Sequence, residues 1–265
     1  MRIIDVDNNN EGYFMNCVLD TELKNYNSEQ VIRKTYIDKH KQKGQGAKLM
    51  MDDGGTIVGR LHYVPIEFSP LVGENLLVIL CLYVHMYKHN IGDKRNKGYG
   101  SLFLDYIEKE ARKNNFNGIA VWAMDWDWNP VSFYLHRGYI EADRIDKVVV
   151  AWKPFNNKAV KPKLARIPEE YFNRKSEYKV SLVLADNDWC NCRNRMNTAF
   201  EAIRGIEDRV EVHIVTENEP GGYVHLGYAG GIFIDGEPYH PYRHLGSSSD
   251  LREYIISKHA EKQNN

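Results

Sequence analysis

The sequence predicts a protein of two α/β domains, and three observations lead to that prediction. The chain has 265 residues, which is more than one compact domain usually needs. Apolar runs of strand length alternate with stretches of helical periodicity. A lysine-rich stretch with two prolines and weak periodicity, residues 156–178, interrupts this alternation. We therefore expect a mixed sheet flanked by helices over residues 1–155, a linker over 156–178, and a smaller α/β domain over 179–265.

Local patterns predict the elements of the first domain. Residues 28–44 have the cap and the spacing of an amphipathic helix. Two apolar runs joined by Asp-Asp-Gly-Gly at 52–55 predict a hairpin, because glycine tolerates the positive backbone angles of tight turns. A continuous apolar run at 76–84 predicts a central strand that is covered on both faces. A polar, glycine-containing stretch then leads into a helical pattern, and the runs at 118–124 and 147–155 predict further strands.

The second domain shows a different order of elements. Residues 179–186 predict a strand, 192–206 a helix, and 209–216 a strand with period-two alternation. The pair Asp235–Gly236 predicts a hairpin turn, and a terminal helix follows the serines at 247–249. The predicted order is β-α-β followed by β-β-α.

Composition excludes several classes of function. Hydrophobic residues make up 43% and charged residues 27% of the chain, so a folded core is available. Lys and Arg number 35 against 36 Asp and Glu, which leaves no general basic field to hold nucleic acid or an anionic membrane surface. The first residues lack the pattern of a secretory signal, and the longest apolar run is too short to span a bilayer. We therefore expect a cytoplasmic protein with neither a nucleic-acid nor a membrane partner.

Two motifs carry the chemistry of the first domain. Residues 95–100, Arg-Asn-Lys-Gly-Tyr-Gly, follow the buried strand and directly precede a helix. Glycine at 98 and 100 would let backbone amides approach a ligand, and the helix N-terminus adds a partial positive charge, so the pattern predicts a phosphate site. The second motif, residues 129–139, is an asparagine-led helix whose sequence continues Phe-Tyr-Leu-His-Arg-Gly-Tyr.

These two motifs, in this order, resemble those of the GNAT superfamily of N-acetyltransferases. The family motifs are Arg/Gln-x-x-Gly-x-Gly/Ala and an asparagine-led helix that ends in Phe-Tyr-x-x-x-Gly-Phe/Tyr. The resemblance covers about residues 1–155 and is strongest over 76–152. It implies direct transfer of an acetyl group from acetyl-CoA to an amine, without a covalent acyl-enzyme. One departure is the loop between Val84 and Arg95, which is several residues longer than the family pattern.

The resemblance also implies roles for individual residues. Tyr134 would protonate the leaving CoA thiolate, and a phenol with a pKa near 10 still carries its proton at neutral pH. Asn129 and the end of the central strand would contact the pantetheine arm, while backbone amides of the glycine loop would bind the pyrophosphate. The expected cofactor-binding residues are Val84, Arg95, Asn96, Lys97, Gly98, Tyr99, Gly100, Ser101 and Asn129.

The general base that accepts the amine proton is a separate question. His85 lies at the end of the central strand and titrates in the required range. The alternatives are Glu67, Asp125 and Asp127. Residues 123–128 alternate acids with tryptophans, which predicts either a pocket for a cationic amine or a loop with partly buried indoles.

The second domain contains a cysteine pair of uncertain purpose. Cys190 and Cys192 lie between a strand and a helix, where thioredoxin-like proteins place their redox cysteines, and the element order resembles that fold. The region also resembles the YoaP-like domain. The spacing is Cys-x-Cys rather than Cys-x-x-Cys, and glycines stand where a proline is expected. Three interpretations stay open: a thiol-reactive centre, a soft-metal site that would also need His213 or His225, and inert cysteines in a recognition or dimerisation module.

The main hypothesis is therefore an acetyl-CoA-dependent N-acetyltransferase. Its acceptor would be an unidentified amine on a small molecule or a protein, no metal is expected, and a homodimer is considered. The alternative from another class is a module that senses acetyl-CoA without turnover. Both hypotheses predict acetyl-CoA binding, and only the first predicts release of CoA in the presence of an amine.

Overall fold

The computed structural model describes residues 1–16, 34, 37–38, 41–69, 71–88, 90–125, 129–145, 147–164, 176–185, 195–215, 232–239 and 247–264. The chain divides into two compact units, Met1–Leu164 and Ala165–Asn265. Most of the helix predicted over 28–44 lies outside the described residues. None of the helices in the described ranges is long and apolar enough to cross a membrane.

The first unit is built on a seven-stranded mixed sheet. Its strands are β1 (Arg2–Asp5), β2 (Gly46–Met51), β3 (Ile57–Pro65), β5 (Leu76–Val84), β6 (Gly118–Met124), β7 (Ile140–Ile145) and β8 (Val148–Pro154), and a short strand outside this sheet is β4 (Leu71–Val72). The strand order is β1-β2-β3-β5-β6-β8-β7. Neighbours are antiparallel except for β5 and β6, which run parallel. The mixed α/β fold class that the sequence predicts is confirmed.

In the described part of the chain, this sheet is accompanied by helices α1 (Glu11–Met15), α2 (Tyr99–Lys113) and α3 (Val131–Leu135). Phe103 and Ile107 of α2 are fully buried in the same core cluster as Ile79 of β5. Phe14 of α1 belongs to a separate cluster with Leu49 of β2. Residues Leu76–Cys81 are buried, as expected of a central strand.

The predicted hairpin is present between β2 and β3. The Asp52 carboxylate accepts hydrogen bonds from the backbone amides of Gly54 and Thr56, and Gly55 adopts a left-handed φ of 81°. An aspartate that bonds the amides ahead of it and a glycine at positive φ are the usual devices of a tight turn. The pairing of β2 with β3 therefore follows from local sequence.

A two-stranded sheet extends the first unit beyond the expected boundary. β4 pairs antiparallel with β9 (Lys163–Leu164), so that Leu71 lies opposite Leu164. The amide of Leu164 also donates to the Asp143 carboxylate at 2.8 Å. Lys163 and Leu164, which lie within the segment predicted as a linker, therefore contribute a strand to the first unit.

The described residues of the second unit form a four-stranded mixed sheet and two helices. They are β10 (Val180–Ala185), β11 (Val210–Val215), β12 (Ile232–Ile234), β13 (Glu237–Tyr239), α4 (Arg195–Ile203) and α5 (Ser248–Gln263). The strand order is β11-β10-β12-β13, with β10 and β11 parallel and the other pairs antiparallel. The predicted turn at Asp235 and Gly236 is present, with both residues at positive φ. Ser247 caps α5 in a capping box with Asp250.

Candidate active site

The parallel strands β5 and β6 part from each other halfway along their length. They register only from Leu76 opposite Gly118 to Ile79 opposite Val121. On the other side of β5, His62 of β3 pairs with Cys81 and the next residue, Tyr63, pairs with Ile79. Leu80 is therefore skipped in the pairing of β3 with β5 and forms a bulge in β5. Such a bulge bends a strand and interrupts its pairing. The described residues therefore form a split between the carboxyl halves of β5 and β6.

The glycine turn lies at the start of α2, in the chain that follows β5. Gly98 is the residue before the helix and has a φ of 83°, and Asn96 also has a positive φ of 60°. A Cβ added to Gly98 would meet nothing within 4 Å. Glycine is therefore needed at this position because of its left-handed backbone conformation and not for lack of space. Glycine at position 100 is explained by space instead, because a Cβ there would lie 3.0 Å from the Phe133 ring. The sequence predicted one purpose for both glycines, and the structure gives them two.

The N-terminus of α2 is available to an anion. In the part of the chain that the structure describes, no side chain caps this helix, and the first amides of any helix lack partners within it. Residues 95–98 are exposed. Amides at such a helix end, together with the helix dipole, favour phosphate. The expected pyrophosphate-binding residues, Arg95 to Ser101, are thus brought together in one turn.

Arg95 is oriented by its neighbour Asp93. The Asp93 carboxylate accepts from Arg95 Nε at 3.1 Å and Nη2 at 2.7 Å, and from the Arg95 backbone amide at 2.9 Å. These hydrogen bonds lower the pKa of Asp93 to about 2. Asp93 was not among the residues expected at the site, although its i, i+2 spacing from a motif arginine is visible in the sequence.

His85 anchors the unusually long loop between β5 and α2. Its ring Nδ1 lies 3.0 Å from the Gly92 carbonyl oxygen, and its own carbonyl accepts from the Lys94 amide at 2.8 Å. A carbonyl only accepts, so Nδ1 carries the proton and the neutral ring has its lone pair on Nε2. Lys94 in turn pairs with Asp52 of the β2–β3 turn at 3.2 Å. His85 is fully buried, and its role as a base stays a prediction.

Tyr134 and Asn129 meet beside the split. Tyr134 Oη donates to Asn129 Oδ1 at 2.6 Å, and Asn129 Nδ2 donates to the Trp122 carbonyl oxygen at 2.6 Å. Trp122 is the first residue of β6 beyond its register with β5. The sequence assigned Tyr134 and Asn129 separate roles, one to the leaving thiolate and one to the arm. Their direct contact is a tertiary feature that the motif did not reveal.

The environment of Tyr134 keeps its hydroxyl protonated. The side chain is fully buried, with the rings of Phe133 and Tyr139 at centroid distances of 5.1 and 5.7 Å. Burial raises the pKa of Tyr134 well above its ordinary value, and the nearby Cys81 thiol raises it further. Cys81 is a buried free cysteine on β5.

The other candidate bases do not converge on Tyr134 in the described residues. Asp125 pairs with Arg144 at 3.0 Å and lies 3.9 Å from Lys147. Glu67 is exposed in the single turn between β3 and β4. Asp127 lies outside the described residues, as do both tryptophans of the predicted amine pocket.

The cysteine pair of the second unit lies outside the described residues. So does His225, while His213 on β11 lies 3.4 Å from Glu211. Among the described residues no group of three or more His, Cys, Asp and Glu side chains could hold a metal ion. The three interpretations of Cys190 and Cys192 therefore stay predictions.

Comparison with known proteins finds similarity only among solved structures. No family model matches the chain, and no curated protein matches it. A GNAT-family acetyltransferase from Staphylococcus aureus Mu50 is 17% identical, with a TM-score of 0.43 over 58% of this chain and 99% of that one. Ribosomal-protein-alanine N-acetyltransferase from Brucella melitensis is 15% identical, with a TM-score of 0.45 over 58% and 100%. PaiA N-acetyltransferase from Thermoplasma acidophilum, in complex with coenzyme A, is 16% identical, with a TM-score of 0.41 over 58% and 98%. At these identities and TM-scores, similarity does not by itself assign an activity.

Proposed function

We propose that the first unit is an acetyl-CoA-dependent N-acyltransferase that passes an acetyl group directly to an amine. The observation that carries the proposal is the combination of an uncapped helix N-terminus behind a left-handed glycine with a split between two parallel strands. The first feature suits a pyrophosphate. The second exposes strand edges that can pair with the amides of an extended arm.

The residues present fit coenzyme A. Amides from Lys97 to Ser101 would hold the pyrophosphate, and the open space at Gly98 leaves room for it. The Arg95 guanidinium, half exposed and oriented by Asp93, adds a charged donor on the same side. Val84, at the end of the bulged strand, would offer its backbone to the pantetheine arm.

Bound acetyl-CoA would supply a thioester whose acetyl group passes to the amine and whose sulfur leaves as a thiolate. Tyr134 would donate its hydroxyl proton toward that sulfur. His85 would accept the amine proton at Nε2, since its Nδ1 proton is bonded to the Gly92 carbonyl. The buried position of Tyr134 would keep water away from the proton that it transfers.

A pair of glycine variants tests the binding site. Gly98→Val places a β-branched side chain at a left-handed residue of the proposed cradle. Gly55→Val imposes the same strain at a φ of 81° in the β2–β3 turn, where a Cβ would also meet nothing within 4 Å. We expect calorimetry to show loss of acetyl-CoA binding for Gly98→Val and retention for Gly55→Val. Equal affinity in the two folded variants would contradict the site.

Turnover then separates the enzyme from the sensor. The wild-type chain is incubated with acetyl-CoA and a panel of primary amines, polyamines and peptides, and free CoA thiol is measured. The enzyme predicts thiol release that depends on the amine. The sensor hypothesis predicts binding at the same site with no amine-dependent release.

We also propose that the second unit is a thioredoxin-like module. Support comes from its parallel strand pair β10–β11, followed by the antiparallel additions β12 and β13, together with helices α4 and α5 that share one core cluster with the sheet. Cys190 and Cys192 fall in the chain between β10 and α4. Their chemistry is tested below by alkylation.

A further inference from the structure

The hydrogen bonds around Asn129 fix the direction of the Tyr134 proton. The Trp122 carbonyl can only accept, so the Asn129 amide must turn Nδ2 toward it. The amide oxygen then faces Tyr134, and the phenol must be the donor in the 2.6 Å bond. With the amide reversed, two oxygens would face each other at Trp122. The backbone of β6 therefore dictates where the Tyr134 proton lies.

Asn129 itself is held firmly to the end of β6. Its carbonyl accepts from the Met124 amide at 3.0 Å, and the following Pro130 forms a bridge with Met124. Its φ of 53° is left-handed, a conformation that asparagine tolerates better than most residues with a side chain. The backbone and the carboxamide thus fix the same residue from two directions.

This arrangement bears on proton donation. A phenol has one proton, so Tyr134 cannot give it to Asn129 and to a leaving thiolate at once. An acceptor that bonds the neutral phenol also disfavours its ionised form. We propose that Asn129 is a positioning residue of acetyl transfer, which holds the Tyr134 hydroxyl and sets when its proton is released. The inference rests on the proposed function and gives Asn129 a task beyond contact with the cofactor.

One substitution separates this task from cofactor contact. Asn129→Gly keeps the left-handed backbone and removes the acceptor of the Tyr134 proton. We expect kcat to fall in this variant, whether or not KM for acetyl-CoA also rises, because the Tyr134 hydroxyl is no longer held. A residue that only contacts the cofactor would raise KM for acetyl-CoA and leave kcat unchanged.

A double-mutant cycle in the absence of cofactor gives a second readout. Tyr134→Phe should lower the melting temperature by several degrees when Asn129 is present, and by clearly less in the Asn129→Gly background. In the same cycle, Asn129→Gly should lower kcat by up to about tenfold with Tyr134 present and leave it unchanged in the Tyr134→Phe background.

The outcomes distinguish the two levels of the proposal. Coupling between Asn129 and Tyr134 in melting temperature and in kcat supports the role of Asn129. Turnover without such coupling overturns that role alone. Absence of turnover on any amine overturns the proposed function and the catalytic role together, even if the thermal cycle demonstrates the hydrogen bond.

Discussion

Tyr134→Phe is the substitution that most directly tests the chemistry of the site. It removes one oxygen and leaves the ring in contact with Phe133 and Tyr139 at centroid distances of 5.1 and 5.7 Å. Among the described residues, the lost hydroxyl has one hydrogen bond, the 2.6 Å bond to Asn129 Oδ1. The variant should therefore fold with the same packing and differ in hydrogen bonding alone.

The expected magnitudes follow from that single loss. Leaving the Asn129 amide oxygen without its donor costs about 1 to 3 kcal/mol, equivalent to a fall of several degrees in melting temperature. Loss of a general acid lowers kcat by about 10² to 10⁴. Affinity for acetyl-CoA should stay the same, because the glycine turn of α2 is untouched.

The measurement is single-turnover release of CoA thiol, so that chemistry rather than product release is observed. Tyr139→Phe is the matched control, since Tyr139 is buried in the same core cluster as Tyr134 and loses the same single oxygen. The control should keep its single-turnover rate. An unchanged rate in Tyr134→Phe, or an equal loss in the control, would refute the assignment of Tyr134 as the acid.

Three further predictions concern pH, the base and the cysteines. Burial raises the pKa of Tyr134 above 10.0. Its contribution to the free energy of unfolding is therefore present below about pH 10 and is lost as pH rises, by up to about 1.4 kcal/mol per pH unit. In urea melts between pH 9 and 11, the free energy of unfolding should fall less steeply with pH for Tyr134→Phe than for the wild type. His85→Asn keeps a donor for the loop carbonyl and removes the base, so acetyl-CoA affinity should be kept while kcat falls by about 10² or more; calorimetry and thiol release check this, and an unchanged kcat would exclude His85. Cys190 and Cys192 should be alkylated faster than the buried Cys81 in native protein, as followed by peptide mass spectrometry across pH; slow, pH-insensitive labelling would mark them as inert.

The fold was largely predictable because its main elements are encoded locally. β5 has the bounds of the apolar run at 76–84, and its residues Leu76–Cys81 are buried in the middle of the sheet. The turn at Asp52 and the cap at Ser247 also depend on residues within four positions of each other. β7 was not predicted, since its alternating exposure gives only a weak apolar signal.

The site was predictable only in part, because its decisive contacts join residues from different elements. Periodicity indicates that a helix begins after Gly98, but not that Gly100 faces the ring of Phe133. Periodicity likewise indicates that Asn129 precedes a helix. It does not show that the Asn129 side-chain amide bonds Tyr134 on one side and the backbone of β6 on the other. His85 shows the same limit, since a histidine at a strand end does not reveal which loop carbonyl its ring will bond.

The short pairing of β4 with β9 decides where the first unit can be cut from the rest of the chain. A fragment that stopped at residue 155, where the apolar pattern fades, would lack Leu164, which is almost completely buried. It would expose Leu71 and leave the Asp143 carboxylate without the amide that it binds. An excised first unit that remains monodisperse should therefore end no earlier than residue 164.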